Sequence, residues 1–211
     1  MELHAPGGPV RSLKDFFVHI GVVTLGILIA LGLEQWVESH HRGKLAKTAV
    51  AGFHKELAYD QDQVKDVLAG TPQKQAKVEA AIALLSAANT TAPGGAAGPA
   101  AASIDYPGFS LDIVSTANWD TAVATQALNE LPFEAVSRYA QAYGALRLFA
   151  ETERQSLGVW QDMHRFGTDP AILSKDQRAA LIMELRRYGN ALTVVESAGR
   201  GTLQSCADAL K

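Results

Sequence analysis

Apolar residues run without a formal charge from Phe16 to Leu33, FFVHIGVVTLGILIALGL, before the chain changes to a mixed rhythm of apolar and polar positions. Eighteen residues at about 1.5 Å each cover roughly 27 Å, which is enough to cross the hydrocarbon of a bilayer. Ser12 and Asp15 have the spacing of a capping box, with Asp in place of the usual Glu, and set the helix start; Trp36 falls at the far interface. The pattern predicts a tail over residues 1–15 and a transmembrane helix over 16–36. Beyond it Leu45, Ala49, Phe53, Leu57, Val64 and Leu68 recur at steps of three or four residues or their multiples, the mark of an amphipathic helix. This helical extension of the anchor is expected over 37–70. Unbroken from Ser12 it would be about 87 Å long, and Gly43 or Gly52 would be the place for a kink. Thr71-Pro72 reads as the cap and first position of a separate short helix over 71–86, with Val78, Ile82 and Leu85 on one side.

Residues 87–115 break the rhythm. AANTTAPGGAAGPAAAS has nothing to bury and two prolines to interrupt a helix, so it reads as a loop. The following segment, with Tyr106, Phe109 and a YPGF turn, is expected to pack as an irregular arm. From residue 116 to 211 three helices are predicted. Ser115 or Thr116 caps the first, which carries Trp119, Val123 and Ala127 and ends near Leu131-Pro132. In the next, Val136, Tyr139, Tyr143, Leu146, Ala150, Glu153, Leu157, Trp160 and His164 alternate at three and four residues until Gly167. Ser174 with Gln177 forms a capping box for the last. There Leu181, Leu185, Tyr188, Leu192, Val195, Gly199, Thr202 and Cys206 repeat the alternation, and Gly199-Arg200-Gly201-Thr202 is expected to loosen or end the helix. The fold class is therefore all-α, a single N-terminal transmembrane helix continuing into an antiparallel helical bundle.

Two sets of positions stand out. At about 100° per residue His19, Val23, Gly26, Ala30 and Glu34 share one stripe of the membrane helix. Gly26-x-x-x-Ala30 is a small-xxx-small pair that lets two backbones approach, while His19 and Glu34 favour protein or headgroups over lipid. Glu153 and His164 are the polar members of an otherwise apolar seam. They would fix register in the bundle core or, together with Tyr143 or Trp160, line a ligand cavity.

Charge and chemistry narrow the function. A net charge of −3 and a pI near 6.1 exclude the basic stripe of a nucleic-acid binder. Cys206 is the one cysteine, so no internal disulfide forms, and its apolar helical position predicts a small buried side chain. Gly108-Phe109-Ser110 begins like a nucleophile elbow, but Asp112 occupies the place of the closing glycine. Asp60-Gln61-Asp62 opens like a calcium loop without its glycine and is read as a solvated helix face. His40, His41 and His54 form no ligand set, and Gly199-Arg200-Gly201-Thr202 lacks the lysine and spacing of a phosphate loop. No cofactor or metal is expected, and no catalysis.

A cleaved signal peptide is the rival for the apolar segment: Arg11 and Lys14 precede it, and Ala30-Leu31-Gly32 has the small residues of a cleavage site. The helical register that continues through Glu34 and Trp36 favours an uncleaved anchor. Arg11 and Lys14 are balanced by Arg42, Lys44 and Lys47, and the acidic Glu34 and Glu38 nearest the exit tilt the orientation toward an exported C-terminal domain.

The run Gly26-Ile27-Leu28-Ile29-Ala30-Leu31 followed by Trp36 resembles the N-terminal membrane helix of an uncharacterised family of bacterial proteins, single-pass anchors followed by charged helix. Ser115-Thr116-Ala117-Asn118-Trp119 is similar to a tryptophan-containing helix start in that group. The resemblance implies a bacterial inner-membrane anchor and carries no activity with it. The expectation is a membrane-tethered interaction or scaffold protein whose partners are the lipid bilayer and other membrane proteins or a second copy of itself, met through the stripe. An extracytoplasmic small-molecule sensor is the alternative.

Overall fold

The computed structural model of the chain describes residues 13–88, 103–109 and 114–211. Ser12, Ser110, Asp112 and nearly all of the Ala/Gly/Pro loop lie outside the described residues. Four α-helices carry the fold: α1 (Leu13–Ala88), α2 (Ala117–Ala124), α3 (Phe133–His164) and α4 (Lys175–Ala209). Short 3-10 turns occupy Ala127–Glu130 and Pro170–Ile172, and no strand occurs among the described residues. The chain is all-α, and its one long apolar N-terminal helix runs on into a bundle with the later helices, as the periodicity predicts.

The separate helix expected from Thr71-Pro72 is absent, because α1 is one helix of 76 residues with Pro72 inside it. Proline there removes the N–H that would reach the Leu68 carbonyl and crowds that carbonyl, at a cost of about 3 kcal/mol. Packing on both sides of the defect outweighs this. Phe53, Leu57 and Val64 are fully buried before it, and Val78, Ala81 and Leu85 are buried after it. Val78 and Leu85 alone contribute about 3–6 kcal/mol of burial. Thr71, itself buried, satisfies its hydroxyl by donating it to the Val67 carbonyl at 3.0 Å. The helix also continues through Gly43 and Gly52.

α3 and α4 are antiparallel. Thr202 Oγ1 on α4 donates to the Ala145 carbonyl on α3 at 3.1 Å, and Gly199 faces Phe149. Between the two helices Gly167, at φ +72°, ends the α3 turn in the left-handed region open to glycine. Ser174 then opens α4 with the expected box: its hydroxyl accepts from Gln177 N at 3.2 Å, and the Gln177 side chain accepts from Ser174 N at 2.8 Å. α1 packs antiparallel on α4, with Leu68 against Gly199 and Val78 against Gly189.

All eight positions read as the α4 seam are buried. α4 does not end at Gly199-Arg200-Gly201-Thr202 but runs through it to Ala209, since Gly199 is the point where three helices meet. A Cβ there would lie 2.9 Å from Leu68 Cδ2 and 3.1 Å from Phe149 Cε2. On α3 the buried face is Tyr139, Ala142, Tyr143, Leu146, Phe149, Glu153, Ser156 and Met163. Ala142, Phe149, Ser156 and Met163 are spaced by seven, as are Tyr139, Leu146 and Glu153, so the face is a heptad seam that takes the residue before Ala150, Leu157 and His164 at alternate positions. That register places Met163 in the core in place of its neighbour His164.

The core has two parts. One gathers Phe53, Leu57, Val64, Tyr139, Tyr143, Leu146, Phe149, Val195 and Cys206; the other holds Val78, Leu85, Ile104, Met163, Leu181, Leu185, Tyr188 and Leu192. The irregular arm closes the second. Ile104 N donates to the Thr168 carbonyl at 2.7 Å, Tyr106 OH to the Gly167 carbonyl at 2.8 Å, and Trp160 Nε1 to the Pro107 carbonyl at 2.8 Å.

Candidate functional site

The first candidate face is the apolar end of α1. It is long and apolar enough to cross a membrane: an 18-residue window there has a mean hydropathy of 2.4 and no residue buried within the fold. His19, Val23, Gly26, Ala30 and Glu34 are all exposed, and a Cβ at Gly26 would meet nothing within 4 Å. The buried face of the same helix begins at Ala46 and continues through Phe53, Leu57 and Val64. At about 100° per residue, the 23 positions from Ala30 to Phe53 turn the helix roughly 140° past whole turns. The stripe therefore points away from the bundle.

The second site is polar and sits where the bundle begins. Glu56 and Asp60 lie one turn apart on the core side of α1, both buried, Asp60 completely. They hold the start of α2. Glu56 accepts the Ser115 hydroxyl, the Asn118 backbone N–H at 3.1 Å and the Tyr143 hydroxyl of α3 at 2.7 Å. Asp60 accepts the Ser115 backbone N–H at 3.1 Å. Thr116 is the N-cap residue of α2, yet its side chain makes no capping bond to the helix backbone and instead reaches Asp120 Oδ2 at 2.8 Å. The exposed donors at the α2 N-terminus are met from another helix, which also sets negative charge at the positive end of the α2 dipole. Gly52 permits the approach: a Cβ there would stand 2.6 Å from Asn118 Oδ1.

Aromatic rings wall this clamp. Phe53 lies 4.9 Å from the Tyr139 ring and 5.8 Å from both Trp119 and Tyr143, with Trp119 and Tyr143 5.4 Å apart. His54 Nε2 meets the Tyr139 hydroxyl at 2.9 Å. Burial pushes the Asp60 carboxyl up to about 6, a rise that the Ser115 N–H opposes and the Glu56 charge adds to. Burial likewise raises Tyr143, whose hydrogen bond to Glu56 and the nearby carboxylates act in the same direction. Cys206 is fully buried, as its helical position predicts, and burial with the Asp60 charge pushes its thiol up to about 12. That thiol is not poised as a nucleophile.

The polar seam positions come apart. Glu153 is buried in mid-α3. His164 is exposed at the end of that helix, its ring 3.9 Å from Trp160 and 4.6 Å from Tyr106 and its Nδ1 2.8 Å from the Trp160 carbonyl. The two share no core layer. Asp60, read as part of a solvated face, is instead interior, while Asp62 two residues on is exposed and paired with Lys65 at 2.8 Å. The signal for Asp60 was present, since it fills the step between Leu57 and Val64 in the run 53, 57, 60, 64. Nothing local marked Glu56. Among the described residues no group of three or more His, Cys, Asp or Glu side chains could hold a metal ion.

These features define the class of molecule: a helical bundle whose first helix extends, bare and apolar, beyond the packed core. No family model, curated protein or solved structure matches the chain.

Proposed function

We propose that this chain is a membrane-anchored helical interaction protein without catalytic activity, a subunit or accessory of a membrane assembly or a homo-oligomer. The observation that carries the reading is the bare apolar end of α1, whose 18-residue window has no buried residue although it is continuous with a well-packed bundle helix. A contiguous apolar surface of that size is stable only against lipid or another protein. A bacterial inner membrane with the bundle on the periplasmic side is the compartment proposed, in line with the acidic exit residues Glu34 and Glu38 and the resemblance of the GILIAL segment.

Pairing through His19, Val23, Gly26, Ala30 and Glu34 follows from the small-xxx-small spacing. The direction of the stripe supports it, because two copies joined there would carry their bundles on the outside, clear of one another. Recovery from native membranes in mild detergent tests the idea. The wild type is expected to bring down partners or a second copy that Gly26→Leu with Ala30→Leu does not; identical recovery and identical mass for both would overturn it. A reporter fused after Lys211 tests orientation, and activity on the periplasmic side is the expected result.

A further inference from the structure

The clamp between α1 and α2 is asymmetric in a way that goes beyond anchoring. Of the two carboxylates, Glu56 takes the side-chain donors, the Ser115 hydroxyl and the Tyr143 hydroxyl, joined by the Asn118 backbone N–H. Asp60, with no exposed surface at all, receives a single backbone N–H on Oδ1, and its buried Oδ2 has no hydrogen-bond partner. A buried carboxylate oxygen without a donor is a costly acceptor, and two carboxylates in one low-dielectric site repel. The titratable groups acting on Asp60 are Glu56 from its own helix, Tyr143 from α3 and Cys206 from α4. None of them is a cation. A proton placed on Oδ2 removes the buried, poorly satisfied charge and its repulsion with Glu56.

We infer that Asp60 is a proton-binding site that sets how firmly the segment from Ser115 through α2 is held against α1, so that acidification tightens this end of the bundle. The direction of its titration agrees: burial and Glu56 raise the folded-state value from 3.8 to about 6. A carboxyl raised on folding stabilises fully when both states are protonated, below about pH 4, and loses that stabilisation as pH rises to about 6. Above that value both states are ionised and the loss is complete. The part that responds is α2 with its preceding residues, because Asp60 binds the chain there through Ser115.

The test uses the full chain in detergent, wild type against Asp60→Asn, with hydrogen exchange followed over residues 114–124 and corrected for intrinsic rates. In the wild type the opening of this segment is expected to rise by up to about tenfold per pH unit between pH 4 and 6 and then level off. Peptides from the middle of α4 should not follow it. Asp60→Asn is expected to be flat in the same window, and its melting temperature should exceed that of the wild type by roughly 5–10 °C at pH 7. The same pH response in Asp60→Asn, or none in the wild type, overturns the inference. Should the variant not fold, carbon-13 titration of Asp60 in the wild type decides: a midpoint near 6 supports the switch, and one below about 4.5, within the ordinary carboxylate range, removes it.

Discussion

A methyl group added at Gly199 and one added two residues later at Gly201 should act in opposite directions. At Gly199 the new carbon would press on Leu68 and Phe149 at 2.9 and 3.1 Å, and overpacking of this kind costs about 1–3 kcal/mol. The gain in helix propensity from glycine to alanine, up to about 1 kcal/mol, offsets only part of it. Gly199→Ala is therefore expected to lower the midpoint of a denaturant titration. Gly201 has nothing within 4 Å of such a carbon, so Gly201→Ala keeps the propensity gain and should raise the midpoint by an amount worth up to about 1 kcal/mol. Two glycines of one helix, a single residue between them, thus separate a packing role from an unneeded freedom. Gly52 belongs with the first kind, and Gly52→Ala should push Asn118 away and weaken the α2 clamp, read as faster amide exchange at Asn118.

Among the elements, α1 is where local rules and the assembled fold disagree. Pro72→Ala restores the missing donor to the Leu68 carbonyl and is expected to stabilise the bundle by about 2 kcal/mol, once the lost stiffness of proline in the unfolded chain is deducted; a rise in melting temperature with unchanged helix content checks it. The α4 seam was legible because its pattern, its capping box and its burial agree over the whole helix. The register of α3 was not, because Phe149 and Ala150, Ser156 and Leu157, and Met163 and His164 stand side by side, and spacing alone does not choose which of each pair the packed helices bury. Asp60 escaped notice because an acidic residue within a run of polar ones reads as solvated; only the Ser115 segment, far along the chain, makes its burial tolerable. The stripe at Gly26 and Ala30 lay within reach of the sequence, since it rests on spacing alone. The clamp lay outside it, since Glu56, Ser115, Asn118 and Tyr143 come together only when three helices pack.

For the molecule as a whole, the fold divides at the point where α1 leaves the bundle. Ala46 is the first buried residue of that helix, and the residues before it are nearly all exposed, although Arg42 ties back to Glu130 at 3.3 Å. A fragment of residues 37–211 is expected to stay helical and cooperative without detergent, whereas the full chain should need lipid or detergent to remain dispersed. Circular dichroism with size-exclusion chromatography tells the two outcomes apart, and aggregation of the fragment would count against the exposed apolar end as the sole cause of association.

Because no loop interrupts α1 between the apolar end and the core, the chain has the mechanics of a lever. With its apolar end held in a bilayer, the 52 residues from Val37 to Ala88 reach about 78 Å from the surface at 1.5 Å per residue. A tilt of about 20°, ordinary for a membrane helix, would carry the far tip roughly 25 Å sideways. Lipid thickness or a helix partner that changes the tilt by a few degrees is thereby converted into displacement at the opposite end, where Tyr106 and Trp160 sit, and the bundle becomes a pointer whose bearing is set within the membrane.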